Sequence, residues 1–168
     1  KVITSDNGLV TITGGKWTSY RLMAEDTVDK AIEVCGLPKR KCVTKKLRIH
    51  GYRKNPDLTD HMYVYGSDEP KILQLIEKEP ALGEKLSEKF GYTLAEVVWA
   101  VREEMAITLE DVLARRVRLL FVDAREAIAA APKAAAIMAR ELGRDQAWID
   151  EQVKSFTDLA KNYIFEQK

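Results

Sequence analysis

Cysteine is scarce, with only Cys35 and Cys42 in a chain of 168 residues. Two thiols cannot build the disulfide framework that holds small secreted domains together, and they read as reduced thiols in a cytoplasmic protein. No apolar run approaches the roughly 20 residues that a membrane-spanning helix needs, and no signal-peptide pattern is visible at the start. Neither sign of charge dominates: 27 Lys and Arg stand against 26 Asp and Glu, a formal net charge of +1. A general nucleic-acid binder carries a basic excess or stripe, so no nucleic-acid partner is expected. The two histidines, His50 and His61, have no second His or Cys at ligand spacing, which leaves no metal site to expect. Internal repeats, low-complexity tracts and calcium-binding EF-hand loops are missing as well.

Hydrophobic residues make up 46% of the chain, enough to bury a core, and the length suits one ordinary domain, or one domain with a short arm. The chain begins at Lys1 and runs almost at once into Gly8-Leu9-Val10-Thr11-Ile12-Thr13, a β-branched stretch that reads as a strand. A start of that kind suggests a cut inside a longer protein. Gly14-Gly15 breaks the strand. From Thr18 the pattern turns helical, with Tyr20, Met23, Ala24, Thr27, Val28, Ala31 and Cys35 at spacings of three and four, until Gly36 and Pro38 stop it. A lone strand needs partners for its backbone groups, found either in Val43 to Ile49 or in residues that this chain lacks.

Beyond Pro56 the pattern is almost wholly helical. A short helix over Asp57 to Tyr65 ends at Gly66, and Ser67 or Asp68 caps the next. Thr93-Leu94-Ala95-Glu96 is a capping box that opens a helix with Leu94, Val97, Val98, Val101 and Met105 on its apolar face. Thr108 caps a helix carrying Leu109, Val112, Leu113, Val117 and Leu120. The alanine-rich stretch from Asp123 to Leu142 contains Pro132, and because proline inside a helix costs about 3 kcal/mol, two helices or a kink are expected there. Asp145 starts a last helix with Ile149, Val153, Phe156, Ala160 and Tyr163. The sum is a bundle of roughly five or six helices.

A strand that passes through two glycines into a helix is a place to hold something electron-rich. Glycine lets the backbone approach a ligand closely. The free N–H groups of the first helical turn and the helix dipole favour negative charge, and Lys16 adds a full positive charge at the same spot. The segment is not a Walker A loop, since Val10 occupies the first glycine position and Trp17 follows Lys16. A G-x-G-x-x-G fingerprint is absent from the whole chain, so any dinucleotide-binding turn of that type lies elsewhere. The bland alternative is an ordinary strand-to-helix turn with a solvated lysine.

Val10-Thr11-Ile12-Thr13-Gly14-Gly15-Lys16-Trp17-Thr18-Ser19-Tyr20-Arg21, followed by Met23-Ala24-Glu25, resembles the last β–α junction of the FAD domain in FAD-dependent glycerol-3-phosphate dehydrogenases. The stretches Glu96-Val97-Val98-Trp99-Ala100-Val101-Arg102-Glu103-Glu104-Met105-Ala106 and Thr108-Leu109-Glu110-Asp111-Val112-Leu113-Ala114-Arg115-Arg116-Val117-Arg118 resemble the same family's C-terminal helical domain. The matches come in the family's order and cover most of the chain.

The resemblance implies a mainly α fold: a C-terminal helical bundle preceded by a short β-strand and helix left over from an FAD-binding domain. Residues 1–36 are the terminal strand–helix unit of that domain, 37–56 a linker and 57–168 the helical domain. The implied activity of the parent is oxidation of sn-glycerol 3-phosphate to dihydroxyacetone phosphate with reduction of FAD and electron transfer to a quinone, or to oxygen in the related glycerophosphate oxidase. Gly14, Gly15, Lys16, Trp17 and Thr18 are then cofactor-binding residues, with Lys16 shared with the substrate phosphate. No catalytic residue is assigned in this chain, whose fragment alone is expected to be inactive. The family also allows peripheral membrane association and a homodimer, and the expected location is cytoplasmic, or peripheral on the inner face of the membrane. A reading of another class stays open, a free-standing helical module that binds a protein partner.

Three further features have plain structural readings. Arg115 is placed to pair with Asp111 at i,i+4, while Arg116 lies near the apolar stripe, against a carboxylate or helix carbonyls. His61, four residues from Tyr65, reads as packed or solvated. The basic stretch Lys39-Arg40-Lys41 with Lys45-Lys46 reads as a solvated loop, with anionic lipid as its alternative partner.

Overall fold

The computed structural model describes residues 1–165, and the chain divides into two units, Lys1–His50 and Gly51–Lys168. The division falls within residues 37–56, the stretch that the family resemblance implies is a linker.

In the first unit, β1 (Val2–Thr4) and β2 (Val10–Ile12) form an antiparallel hairpin, with Val2 opposite Ile12 and Thr4 opposite Val10. The strand expected near Val10 thus has a partner directly upstream. Val43 to Ile49 forms no strand. Closing a short local loop costs less chain entropy than bringing in a strand some thirty residues away, roughly (3/2)RT ln n in loop length n. The turn supports itself: Asn7 Oδ1 accepts from Ser5 Oγ at 2.6 Å and from the Leu9 N–H at 3.2 Å. After Gly14 and Gly15 a 3-10 turn, Trp17–Ser19, leads into α1 (Tyr20–Val34). Gly36, at φ 61°, ends α1. Its N–H donates to Glu33 and that of Leu37 to Ile32, the paired bonds of a Schellman cap.

The second unit opens with a 3-10 segment, His61–Asp68, instead of the helix expected over Asp57 to Tyr65. Local side chains set the later start. Asp57 accepts from the Thr59 N–H and hydroxyl, holding a turn, and Asp60 caps the Met62 N–H. Gly66 is indispensable here: its φ is 53°, and a Cβ would stand 1.8 Å from the Gly51 carbonyl oxygen. Then come α2 (Glu69–Lys78), a 3-10 turn at Pro80–Gly83, and a hairpin of β3 (Lys85–Ser87) with β4 (Phe90–Thr93) that helical periodicity did not suggest.

Helix α3 (Leu94–Glu103) starts at the foreseen capping box. It stops before Met105, which takes a φ of 57° and is 85% exposed instead of lying on the apolar face. The chain turns there because the Ala106 N–H reaches back to the Ala100 carbonyl at 3.0 Å, while the Arg116 guanidinium donates to the Glu104 carbonyl. The helix expected after Thr108 is a π-helical turn, Asp111–Arg116, followed by α4 (Leu119–Val122). Arg118, in the left-handed region at φ 61°, separates the two. The wider turn leaves Leu109, Val112, Leu113, Val117 and Leu120 all buried, so the apolar stripe survives the change of helix type.

Helix α5 (Ala124–Leu142) runs unbroken through Pro132, where two helices or a kink were expected. Pro132 lies on the exposed side, so the carbonyl that it leaves unpaired can bond water. On the other side Ala127, Ala130, Ala131, Ala134, Ala135 and Met138 are buried, and α5 packs against α3, α4 and α6 (Gln146–Lys161). That burial outweighs the local penalty. Asp145 caps α6 by accepting from the Trp148 N–H at 3.0 Å, and Phe156 and Ala160 enter the core.

Pro132→Ala is expected to stabilise the chain by about 2 kcal/mol: the helix penalty of about 3 kcal/mol is removed, less up to about 1 kcal/mol of restored unfolded-state freedom. An unchanged or lowered urea midpoint would show that the proline is strain-free.

Candidate functional site

The five residues singled out in the sequence form one continuous exposed edge. Gly14 and Gly15 take left-handed conformations at φ 80° and 92°. A Cβ on Gly15 would stand 2.5 Å from the Met23 sulfur, whereas one on Gly14 would meet nothing within 4 Å. Both glycines are required by φ, and at Gly15 a Cβ would in addition displace the flexible end of Met23. Thr13 is tied to Lys1 in both directions, donating at 3.1 Å and accepting at 2.8 Å, which fixes the end of the strand. Lys16 is extended, at φ −98° and ψ 152°, and its carbonyl accepts from both the N–H and the hydroxyl of Ser19.

The Ser19 N–H is used in this way, and the Tyr20 N–H bonds the Trp17 carbonyl. The N–H groups of Trp17 and Thr18 are left at the open end of the helix. Trp17 is 87% exposed and lies against Tyr20, with ring centroids 5.7 Å apart. Open N–H groups, a solvated ammonium and a flat aromatic surface suit an electron-rich, planar or anionic group.

None of residues 1–50 is fully buried. Along α1 a groove of about 720 Å³ runs past Tyr20, Ala24, Val28, Ile32, Val43 and Ile49. Arg21 is held at its side by Glu25 at 2.5 Å and by Thr44 at 3.1 Å.

A second constellation, in the Gly51–Lys168 unit, was not visible in the sequence as a cluster. Glu96, 1% exposed, accepts from the Tyr65 hydroxyl at 3.0 Å through Oε1. Its Oε2 accepts from the Thr93 N–H at 2.6 Å and stands 3.2 Å from His61 Nε2. Tyr92 meets the His61 ring edge-on at 5.2 Å. The hydrogen bond to Glu96 holds the His61 imidazole above its ordinary range, against the opposing effect of burial. Burial, reinforced by the Glu96 charge, pushes the Tyr65 phenol up. The capping-box glutamate and the His61–Tyr65 spacing were each legible. Their meeting, across 35 and 31 residues, was not.

The arginine run is structural. Arg115 pairs with Asp111 at 2.9 Å and Glu110 at 2.7 Å, and Arg116 bonds the carbonyls of Glu104 and Asp111. Hydrogen bonds from Thr108 and Ile107 hold the Asp111 carboxyl below its usual range although burial opposes them, and Arg115 adds to the effect. Among the described residues no group of three or more His, Cys, Asp or Glu could hold a metal ion, and no helix is long and apolar enough to cross a membrane.

A family model for the C-terminal domain of alpha-glycerophosphate oxidase matches residues 42–149. A protein of Caenorhabditis elegans named as a probable mitochondrial glycerol-3-phosphate dehydrogenase is 35% identical over 179 residues, which cover 94% of this chain and 24% of the relative. A Dictyostelium discoideum protein of the same name is 35% identical, covering 95% of this chain and 27% of its own. The mitochondrial glycerol-3-phosphate dehydrogenase of Mesocricetus auratus is 34% identical, covering 98% and 25%. The chain thus spans about a quarter of the length of these relatives. No solved structure matches it at a significant level. The cytoplasmic location expected from the thiols and the resemblance is corrected, since these relatives are all named mitochondrial. The thiol count misled because it separates secreted from intracellular proteins without distinguishing among reducing compartments. With a family model over most of its length and relatives aligned along nearly all of this chain, the chain belongs to the glycerol-3-phosphate dehydrogenase and alpha-glycerophosphate oxidase family and corresponds to its C-terminal region.

Proposed function

We propose that this chain is the C-terminal part of an FAD-dependent enzyme that oxidises sn-glycerol 3-phosphate to dihydroxyacetone phosphate, and that the edge from Gly14 to Thr18 forms one wall of its flavin site. The observation that carries the reading is the exposed strand–turn–helix junction, with two left-handed glycines, the open N–H groups of Trp17 and Thr18, and Lys16. A bound FAD would supply the acceptor for the hydride removed from C2 of the substrate. The N–H groups of Trp17 and Thr18 are the donors of this chain for the negative charge that reduction brings, and they need no reorganisation because the helix already aims them. Lys16 adds a full positive charge beside them and reaches the substrate phosphate. Gly15 keeps the turn tight over Met23.

Residues 1–36 then belong to the FAD-binding domain of the parent, 37–56 to the connection and 57–168 to the helical domain. Quinone is the proposed electron acceptor, because the relatives carry the name of dehydrogenases, whereas the family model is described from an oxidase. In this reading the general base lies outside this chain, which holds no flavin and oxidises no substrate by itself.

Lys16→Met in the full-length enzyme is expected to lower the two-electron flavin potential by on the order of 30 mV, equivalent to about 1.4 kcal/mol, and to raise the KM for glycerol 3-phosphate roughly tenfold, again about 1.4 kcal/mol. Unchanged potential and unchanged kinetics remove Lys16 from the site. Gly15→Ala should strip somewhat more flavin from the purified enzyme than Gly14→Ala. Both pay for a left-handed alanine, about 1–2 kcal/mol, but only the first collides with Met23. Equal flavin content in the two variants contradicts the packing role. Purified on its own, the 168-residue chain should be colourless and inactive; a yellow preparation that oxidises glycerol 3-phosphate overturns the assignment of the site's other walls to the rest of the parent.

A further inference from the structure

The Glu96 cluster has no part in the proposed flavin site. A carboxylate this deeply buried is held by four groups from three places in the chain: the Thr93 N–H and hydroxyl, the Tyr65 hydroxyl and His61. Its ion pair is with His61. Removing a carboxylate from water is costly unless charge or hydrogen bonds compensate, so the state of that imidazole bears on how firmly the cluster holds.

The segment that bears His61 is a distinct element between Asp60 and α2. It is 3-10, and Gly66 interrupts it at φ 53° and ψ −118°. It is fastened to the N-terminus of α3 by His61 and Tyr65 through Glu96, and its Met62 is buried in the core. The His61 ring is covered on two sides and partly open to solvent. A Cβ on Gly91 would stand 2.7 Å from Nδ1, and Tyr92 covers the ring edge-on. The charged and titratable groups facing it are Glu96 from α3, Asp60 from its own segment, with Oδ1 3.4 Å from Nδ1, and Tyr92 from β4. Tyr65 stands one turn along. Farther out, Glu104 adds negative charge near Tyr65, and Arg118 adds positive charge near Tyr92. Both carboxylates next to the ring favour its protonated form.

We propose that His61, Tyr65 and Glu96 form a proton-dependent latch, which fastens the segment His61–Asp68 to the start of α3 when His61 is protonated and loosens when it is neutral. Protonated His61 donates from Nε2 to Glu96 and sets its charge beside Asp60, 3.4 Å from Nδ1. Neutral His61 keeps one N–H and gives Glu96 no compensating charge. The sign follows from linkage. The imidazole binds its proton more tightly in the latched state, so the latch is at full strength below the unfolded-state value near 6.5 and weakens as pH rises through the higher latched value.

The test is amide hydrogen exchange of the 168-residue chain across the titration of His61, corrected for intrinsic exchange and read beside the imidazole C–H resonances of His61 and His50. The Met62 and Tyr63 N–H groups, bonded to Asp60 at 2.9 and 3.1 Å, report on the segment. Their protection should fall as His61 loses its proton, by about tenfold for each pH unit that its midpoint lies above 6.5. Glu96→Gln keeps the shape and removes the charge, so the His61 midpoint should return toward 6.5 and the fall in protection should vanish. Should that variant fail to fold, His61→Gln serves, with protection independent of pH over the same range. Flat protection in the unsubstituted chain, an unraised His61 midpoint, or a fall that survives in His61→Gln overturns the latch.

Discussion

The second unit depends on a stripe of methyl groups. Along α5, Ala127, Ala130, Ala131, Ala134 and Ala135 face inward with almost no exposed area. Side chains this small let α3, α4 and α6 come close to the α5 axis, and they lose no rotamer freedom on burial. The larger residues come from the partners: Val97 and Val98 from α3, Leu119 from α4 and Phe156 from α6 are all buried, at about 1.5–3 kcal/mol for each aliphatic or Phe side chain. A branched or aromatic side chain at an inward α5 position would push a partner away. The same docking keeps α5 continuous through Pro132.

The first unit is built on the opposite principle. Its hairpin and α1 satisfy their backbones through the Lys1–Thr13 pair, the Asn7 turn and the Schellman cap at Gly36, yet none of its residues reaches full burial. Its apolar groove and the exposed ring of Trp17 are what remain when most of a helix's apolar stripe has no cover. The Gly14 to Thr18 edge shares that openness. The glycines at 14 and 15 place no Cβ there, and the local backbone bonds fix the turn without a core beneath it.

The legible features were those that a few neighbouring residues settle. The capping box at Thr93 to Glu96, the caps at Asp145 and Thr108, the stop at Gly36 and the Asp111–Arg115 pair all depend on contacts within five residues, and each was found where expected. The failures share a different cause. Met105 left its helix because Arg116, eleven positions on, holds the Glu104 carbonyl. The π-helical turn at Asp111–Arg116 preserved the buried stripe while breaking the regular helix that the spacing suggested. The β3–β4 hairpin lies between helices in a short stretch with no strong alternation to announce it.

By itself, the sequence determined the family and the mainly α composition and singled out the Gly14 to Thr18 edge, because each is carried by residue types in a fixed local order. The tertiary structure alone decided that this edge stands open to solvent, that Gly15 and not Gly14 is closed off by Met23, and that a capping glutamate is also the buried anchor for His61 and Tyr65. Those outcomes depend on which distant side chains share a volume. Periodicity places a residue on a face of its own helix, but only the packed chain shows what lies opposite that face.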